Sequence, residues 1–173
     1  TIGTCGQQLL DILHRLYGGR LPRQKRSVRN AVHWSLKRSA VTVLPQKPGI
    51  PELLAWFTDN HIPCCVASST KHDLVMEYLR LANLDNYFAF VIGGDQVPRS
   101  KPNPDIFLAA CQQAGIRPEA ALVLEDSENG ILAASNGNIP VVCIPDLKVP
   151  SEETAKKTAA IVSTAADVIS LFR

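Results

Sequence analysis

The sequence predicts an α/β protein built on a doubly wound parallel sheet, with a partial helical cap in front of it. Two observations predict this. Short, continuously apolar runs alternate with helix-patterned segments, as expected for strands covered on both faces. The chain of 173 residues is also long enough for one sizeable core plus a small appended module.

Taken in order, the opening segment reads as helix, because Leu9, Ile12, Leu13 and Leu16 recur at helical spacing and Gly18-Gly19 stops the run. The stretch to about Ala40 reads as a second helix of lower apolar content. Pro45, Pro48 and Gly49 break the pattern, so residues 1–45 are assigned to the cap and 46–173 to the α/β core. Ile50, Leu53, Leu54 and Phe57 then mark an amphipathic helix. PCCVA (63–67) is a buried strand, followed by a Ser-Ser-Thr turn and a helix with Leu74, Tyr78 and Leu81 on one face. FAFVI (88–92) is a second strand. Asn103-Pro104 caps a helix with Ile106, Phe107 and Ala110 inward, which Gly115 ends. AALVL (120–124) is a strand, 127–134 a helix, PVVCI (140–144) a strand, and 160–162 an edge strand before a final amphipathic helix.

Composition excludes several classes. No apolar run reaches bilayer-spanning length and no secretory signal pattern opens the chain. The five cysteines, Cys5, Cys64, Cys65, Cys111 and Cys143, show no C-x-x-C spacing, which speaks against a disulfide framework or zinc site and for a cytoplasmic protein. No Asp or Glu occurs from Ile12 to Pro51, an interval carrying Arg15, Arg20, Arg23, Lys25, Arg26, Arg29, Lys37 and Arg38. This is either a solvated basic face or a surface that draws in an anion. Nucleic-acid binding is disfavoured, since Trp34 is the segment's one aromatic besides Tyr17 and no reader motif is present.

In open parallel sheets, ligands bind beyond the carboxyl ends of the strands. The first strand is followed by Ser68-Ser69-Thr70-Lys71, which offers hydroxyls at a helix mouth: an anion site or a simple N-cap. Lys101, fixed before a proline, can neutralise a phosphoryl group as a point charge or simply be solvated. Glu125-Asp126-Ser127 sets two carboxylates directly after an apolar strand, where hard oxygen ligands suit Mg²⁺, although Asp126 or Ser127 could also be a cap.

VASSTK (66–71), SKPNPDIF (100–107) and LEDSENG (124–130) resemble the second, third and fourth motifs of the haloacid dehalogenase superfamily of hydrolases. The likeness is greatest to the branch of β-phosphoglucomutase and small sugar-phosphate phosphatases, which PGIPELL (48–54) also matches. The resemblance implies that Ser68 holds the transferring phosphoryl group, with Ser69, Thr70 and Lys71 on the substrate. It implies that Lys101 bridges phosphoryl and nucleophile, and that Asp126 binds Mg²⁺ with Glu125 supporting it. The implied partner is a small phosphorylated metabolite, with no nucleic acid or membrane and no particular oligomeric state.

Two departures stand out. The family's first motif, a strand ending in D-x-D whose first Asp attacks phosphorus, has no counterpart anywhere in the chain. In the family that strand lies mid-sheet, between the strands at 63–67 and 120–124. Its loss leaves an expected gap of about 10 Å, two inter-strand spacings. The expectation is therefore a fragment, a nucleophile supplied N-terminally to Thr1, or an inactive remnant. The mutase-like G-V-S-R pattern is replaced by Gly3-Thr4-Cys5-Gly6, which favours phosphatase over mutase. A phospho-receiver domain fits worse, because its acid comes first in the chain. A dinucleotide-binding dehydrogenase lacks its G-x-G-x-x-G.

Overall fold

The computed structural model describes residues 46–146 and 148–172. The cap expected at 1–45, its basic face and Gly3-Thr4-Cys5-Gly6 lie outside them. The described residues all belong to one compact unit.

The elements run α1 (Ile50–Asp59), β1 (Cys65–Ser68), α2 (His72–Leu81), β2 (Phe90–Gly93), α3 (Asp105–Ala114), β3 (Val123–Glu125), α4 (Glu128–Asn136), β4 (Val141–Cys143), α5 (Glu152–Ala155) and β5 (Ala160–Ile161). Short 3₁₀ turns occupy Asp85–Tyr87, Pro118–Ala120 and Ala166–Phe172. All strand pairs are parallel, as expected. Among the described residues they form two sheets, β1-β2 and β3-β4-β5, with no ladder between β1 and β3.

Helices join what the ladders do not. Successive strand residues point to opposite faces. On one face Val66 and Val91 pack with Leu54, Val75 and Leu79, while Val142 packs with Leu53, Phe57 and Val168. Helix α1 therefore spans both sheets, with Leu54 over one and Leu53 and Phe57 over the other. On the opposite face Ala67 and Ile92 share a cluster with Val123, Val141 and Cys143 beneath Ile106, Phe107, Ile131 and Ala134 of α3 and α4. Helices cover both faces, which is the doubly wound arrangement. Each fully buried aliphatic side chain in these clusters contributes roughly 1.5–3 kcal/mol.

Three elements differ from expectation. In α2 the buried residues are Val75 and Leu79, whereas Leu81 is exposed. The run DLVMEYLRL carries two neighbouring apolar stripes, and packing against Val66 and Val91 selects the one offset by a residue. The last helix is a 3₁₀ segment with Val168 buried. Asn103 does not cap α3; its side-chain amide donates to Ser100 O. Among the described residues no helix is long and apolar enough to cross a membrane.

Candidate active site

The carboxyl ends of β1 and β3 face a common region, and the residues after them carry the polar groups. Ser68 ends β1 and is buried; its Oγ accepts from Thr70 N at 3.2 Å, so the hydroxyl organises the turn that follows. Thr70 O in turn accepts from Gly94 N at 2.9 Å, tying this turn to the end of β2. Ser69 and Lys71 are exposed. Lys71 is the residue before α2, and its side chain makes no cap. The cap comes from Asp95, whose carboxylate accepts from His72 N at 2.8 Å. That bond holds the Asp95 carboxyl below its usual range.

Lys101 is placed by a braced loop. Arg99 donates twice to Asp105 at the start of α3, at 3.0 and 2.8 Å, and Asn136 Nδ2 donates to Pro102 O at 3.0 Å. The lysine side chain runs inward over the Phe107 ring, 4.6 Å from its centroid. Its Nζ donates to Glu125 Oε1 at 2.5 Å and to Ala67 O at 3.3 Å. One ammonium thus touches the carboxyl ends of both sheets, next to Ser68 on one side and Asp126 on the other.

Glu125 has both oxygens engaged. Oε1 takes Lys101, and Oε2 accepts from Asp126 N, Ser127 N and Ser127 Oγ. Burial pushes its carboxyl up, but the Lys101 charge and hydrogen bonds reverse this and hold it below the usual range. Ser127 also caps α4, accepting from Gly130 N at 3.1 Å. Gly130 is required by contact: any Cβ there would collide with the Glu125 carboxylate.

Asp126 is different. Its side chain is 4% exposed, Oδ2 accepts from Lys47 Nζ at 2.9 Å, and Oδ1 is buried without a hydrogen-bond partner among the described residues. Burial raises its carboxyl above the usual range, and Lys47 offsets this only in part. A buried carboxylate oxygen left unpartnered is costly unless a cation or donor meets it. Asp126 therefore fits a Mg²⁺ ligand, with Glu125 behind it already committed to Lys101. Among the described residues no group of three or more His, Cys, Asp or Glu gathers to hold a metal.

Lys47 went unnoticed in the sequence, where it sits between break-forming prolines. Nothing in its local pattern points across 79 positions to Asp126.

A family model of haloacid dehalogenase-like hydrolases matches residues 6–144. The chain belongs to this family. It is similar to the phosphorylated carbohydrates phosphatase of Thermotoga maritima, at 35% identity over 62% of this chain and 50% of that protein. Phosphoglycolate phosphatase 1 of Pseudomonas aeruginosa is 35% identical over 53% of this chain and 34% of its own length. The chain thus spans at most about half the length of these two relatives. Among solved structures, a mutant of CbbY from Rhodobacter sphaeroides in complex with xylulose-(1,5)bisphosphate superposes with a TM-score of 0.69. That match is at 25% identity and covers 95% of this chain and 75% of the other.

Proposed function

We propose that this chain carries the phosphoryl-binding side of a Mg²⁺-dependent phosphatase that acts on a small phosphomonoester, a sugar phosphate by preference. One observation carries the reading: the Lys101 ammonium joins the ends of β1 and β3, between the buried Ser68 and the half-partnered Asp126. A fixed positive charge flanked by a hydroxyl and a cation-seeking carboxylate suits an anion whose charge is redistributed during transfer. The names of the relatives, a phosphatase of phosphorylated carbohydrates and one of phosphoglycolate, support the substrate class.

In this reading Ser68 and the turn 68–71 receive the phosphoryl oxygens, with Ser69, Thr70 and Lys71 at the exposed side where the rest of the substrate lies. Lys101 neutralises the phosphoryl group, and Glu125 positions Lys101 rather than binding metal directly. Asp126 holds Mg²⁺, which when bound supplies charge stabilisation to the phosphoryl oxygens. The nucleophile is an Asp of a D-x-D segment N-terminal to Thr1; its attack on phosphorus breaks the ester P–O bond, the substrate alcohol leaves, and water hydrolyses the resulting aspartyl-phosphate to free phosphate. One observation supports that assignment: among the described residues β1 and β3 share no ladder, although Lys101 touches the ends of both. The cytoplasm is the compartment that suits the free thiols of Cys64, Cys65, Cys111 and Cys143.

The test is phosphate release from a panel of sugar phosphates and phosphoglycolate, with Mg²⁺ or EDTA, using protein extended at its N-terminus through a D-x-D strand. Release that needs Mg²⁺ and disappears in Lys101→Met is expected. A folded, extended protein that releases no phosphate from any member overturns the reading. Isomerised sugar phosphate in place of free phosphate would assign a mutase, and an inert extended chain a phosphate-binding remnant.

A further inference from the structure

Two lysines attend the carboxylate pair, and they are held in opposite ways. Lys101 is locked in, with its side chain 7% exposed and its Nζ on Glu125 and Ala67 O. Lys47 stands at the rim, with its side chain 31% exposed. Its Nζ lies 2.9 Å from Asp126 Oδ2, 3.5 Å from Ile144 O and 3.9 Å from Asp146 Oδ2. Only the first of these is a strong bond. The backbone around Lys47 is fastened: Ile50 N donates to Lys47 O at 3.3 Å and Ala165 N to Pro48 O at 3.1 Å. The four-carbon stem is the part that these backbone bonds do not fix, and the side chain is partly exposed.

Asp126 is correspondingly lopsided. One oxygen is taken by this rim ammonium and the other is buried and unpartnered. We propose that Lys47 is a tethered counter-ion, which occupies Asp126 when no divalent cation is present and which the cation displaces on binding. The inference rests on the reading of Asp126 as the cation ligand. An ammonium and a divalent ion repel each other at a shared carboxylate, the more so in a partly buried site. The released ammonium keeps a partner in Asp146, whose side chain is 28% exposed. Lys47 then sets the cation concentration at which the site fills, higher than Asp126 alone would require.

The experiment is isothermal titration with MnCl₂ and with MgCl₂ of the protein extended at its N-terminus through a D-x-D strand, for the wild type, Lys47→Met, Lys47→Gln and Asp126→Asn. Circular dichroism confirms that each is folded, and the glutamine variant keeps a hydrogen-bond donor in case methionine fails to fold. Binding about two- to five-fold tighter in the folded Lys47 variants, and lost in Asp126→Asn, is expected from the modest strength of a rim ion pair. Equal affinity in the wild type and the Lys47 variants, with loss in Asp126→Asn, overturns the counter-ion role while leaving Asp126 as the ligand. Weaker binding in the Lys47 variants also overturns it, making Lys47 a supporting group. No binding in any folded form sinks the cation reading and this inference together.

Discussion

Lys101 Nζ lies 2.5 Å from Glu125 Oε1, and the two side chains are 7% and 1% exposed. Lys101 comes from the loop before α3 and Glu125 from the end of β3, 24 positions apart, and they meet between two sheets that share no ladder among the described residues. The pair is thus a structural joint as well as a candidate piece of chemistry. Burying two charges gains little over an apolar pair, but removing one partner strands the other in a low-dielectric site.

Replacing Lys101 should therefore cost stability as well as activity. Lys101→Met should lower the unfolding free energy by about 3–5 kcal/mol. The double variant Lys101→Met/Glu125→Gln should regain part of that, because no buried charge is left unpaired. Urea denaturation of the two variants and the wild type checks this. A single variant within experimental error of the wild type would contradict the buried pair.

Gly130 makes a separate prediction about the same joint. A methyl group there runs into the Glu125 carboxylate, which is pinned by four hydrogen bonds and cannot retreat. Gly130→Ala should destabilise by about 1–3 kcal/mol through overpacking. Gly115→Ala has open space around the added methyl and pays only for its left-handed backbone, φ 70°. Melting temperatures of the two variants should rank Gly130→Ala lower.

Much of this was legible in the sequence. The strands were, because four apolar runs flanked by turn residues leave little choice, and their observed ends differ from the expected ones by a residue or a few. Glu125-Asp126 was legible as a pair, since two carboxylates after an apolar strand are hard to place otherwise. Their division of labour was not: which lysine each one meets depends on where Lys101 and Lys47 arrive in space. The buried face of α2 is not legible for a related reason. Its two apolar stripes are equivalent until Val66 and Val91 choose between them.

Cys64 and Cys65 open the way to a chemical check on β1. Burial, followed by the neighbouring Cys65, pushes the Cys64 thiol up to about 11. The thiolate is the reactive form. Alkylation of Cys64 by iodoacetamide should be slow at neutral pH in the native chain and should accelerate in urea at the same pH. Rapid native labelling, read by mass spectrometry of the 64–65 peptide, would mean that the start of β1 is open.

Asp126 yields the least intuitive expectation, because its carboxyl is raised while that of its neighbour Glu125 is lowered. For Glu125 the folded value is depressed, so its contribution is present above the unfolded value of about 4.3 and fades as pH falls through the folded one. For Asp126 the folded state holds its proton more tightly than the unfolded chain. Stability therefore declines as pH rises from about 3.9 through the folded value. At neutral pH without divalent cations, the ionised Asp126 is a net burden that Lys47 only partly relieves. Asp126→Asn should consequently melt at or above the wild-type temperature in EDTA at pH 7, and lose that advantage when Mg²⁺ is added to both. Thermal melts in EDTA and in Mg²⁺ decide it: a large loss of stability in Asp126→Asn in EDTA would show that the Lys47 pair outweighs the burial of Asp126.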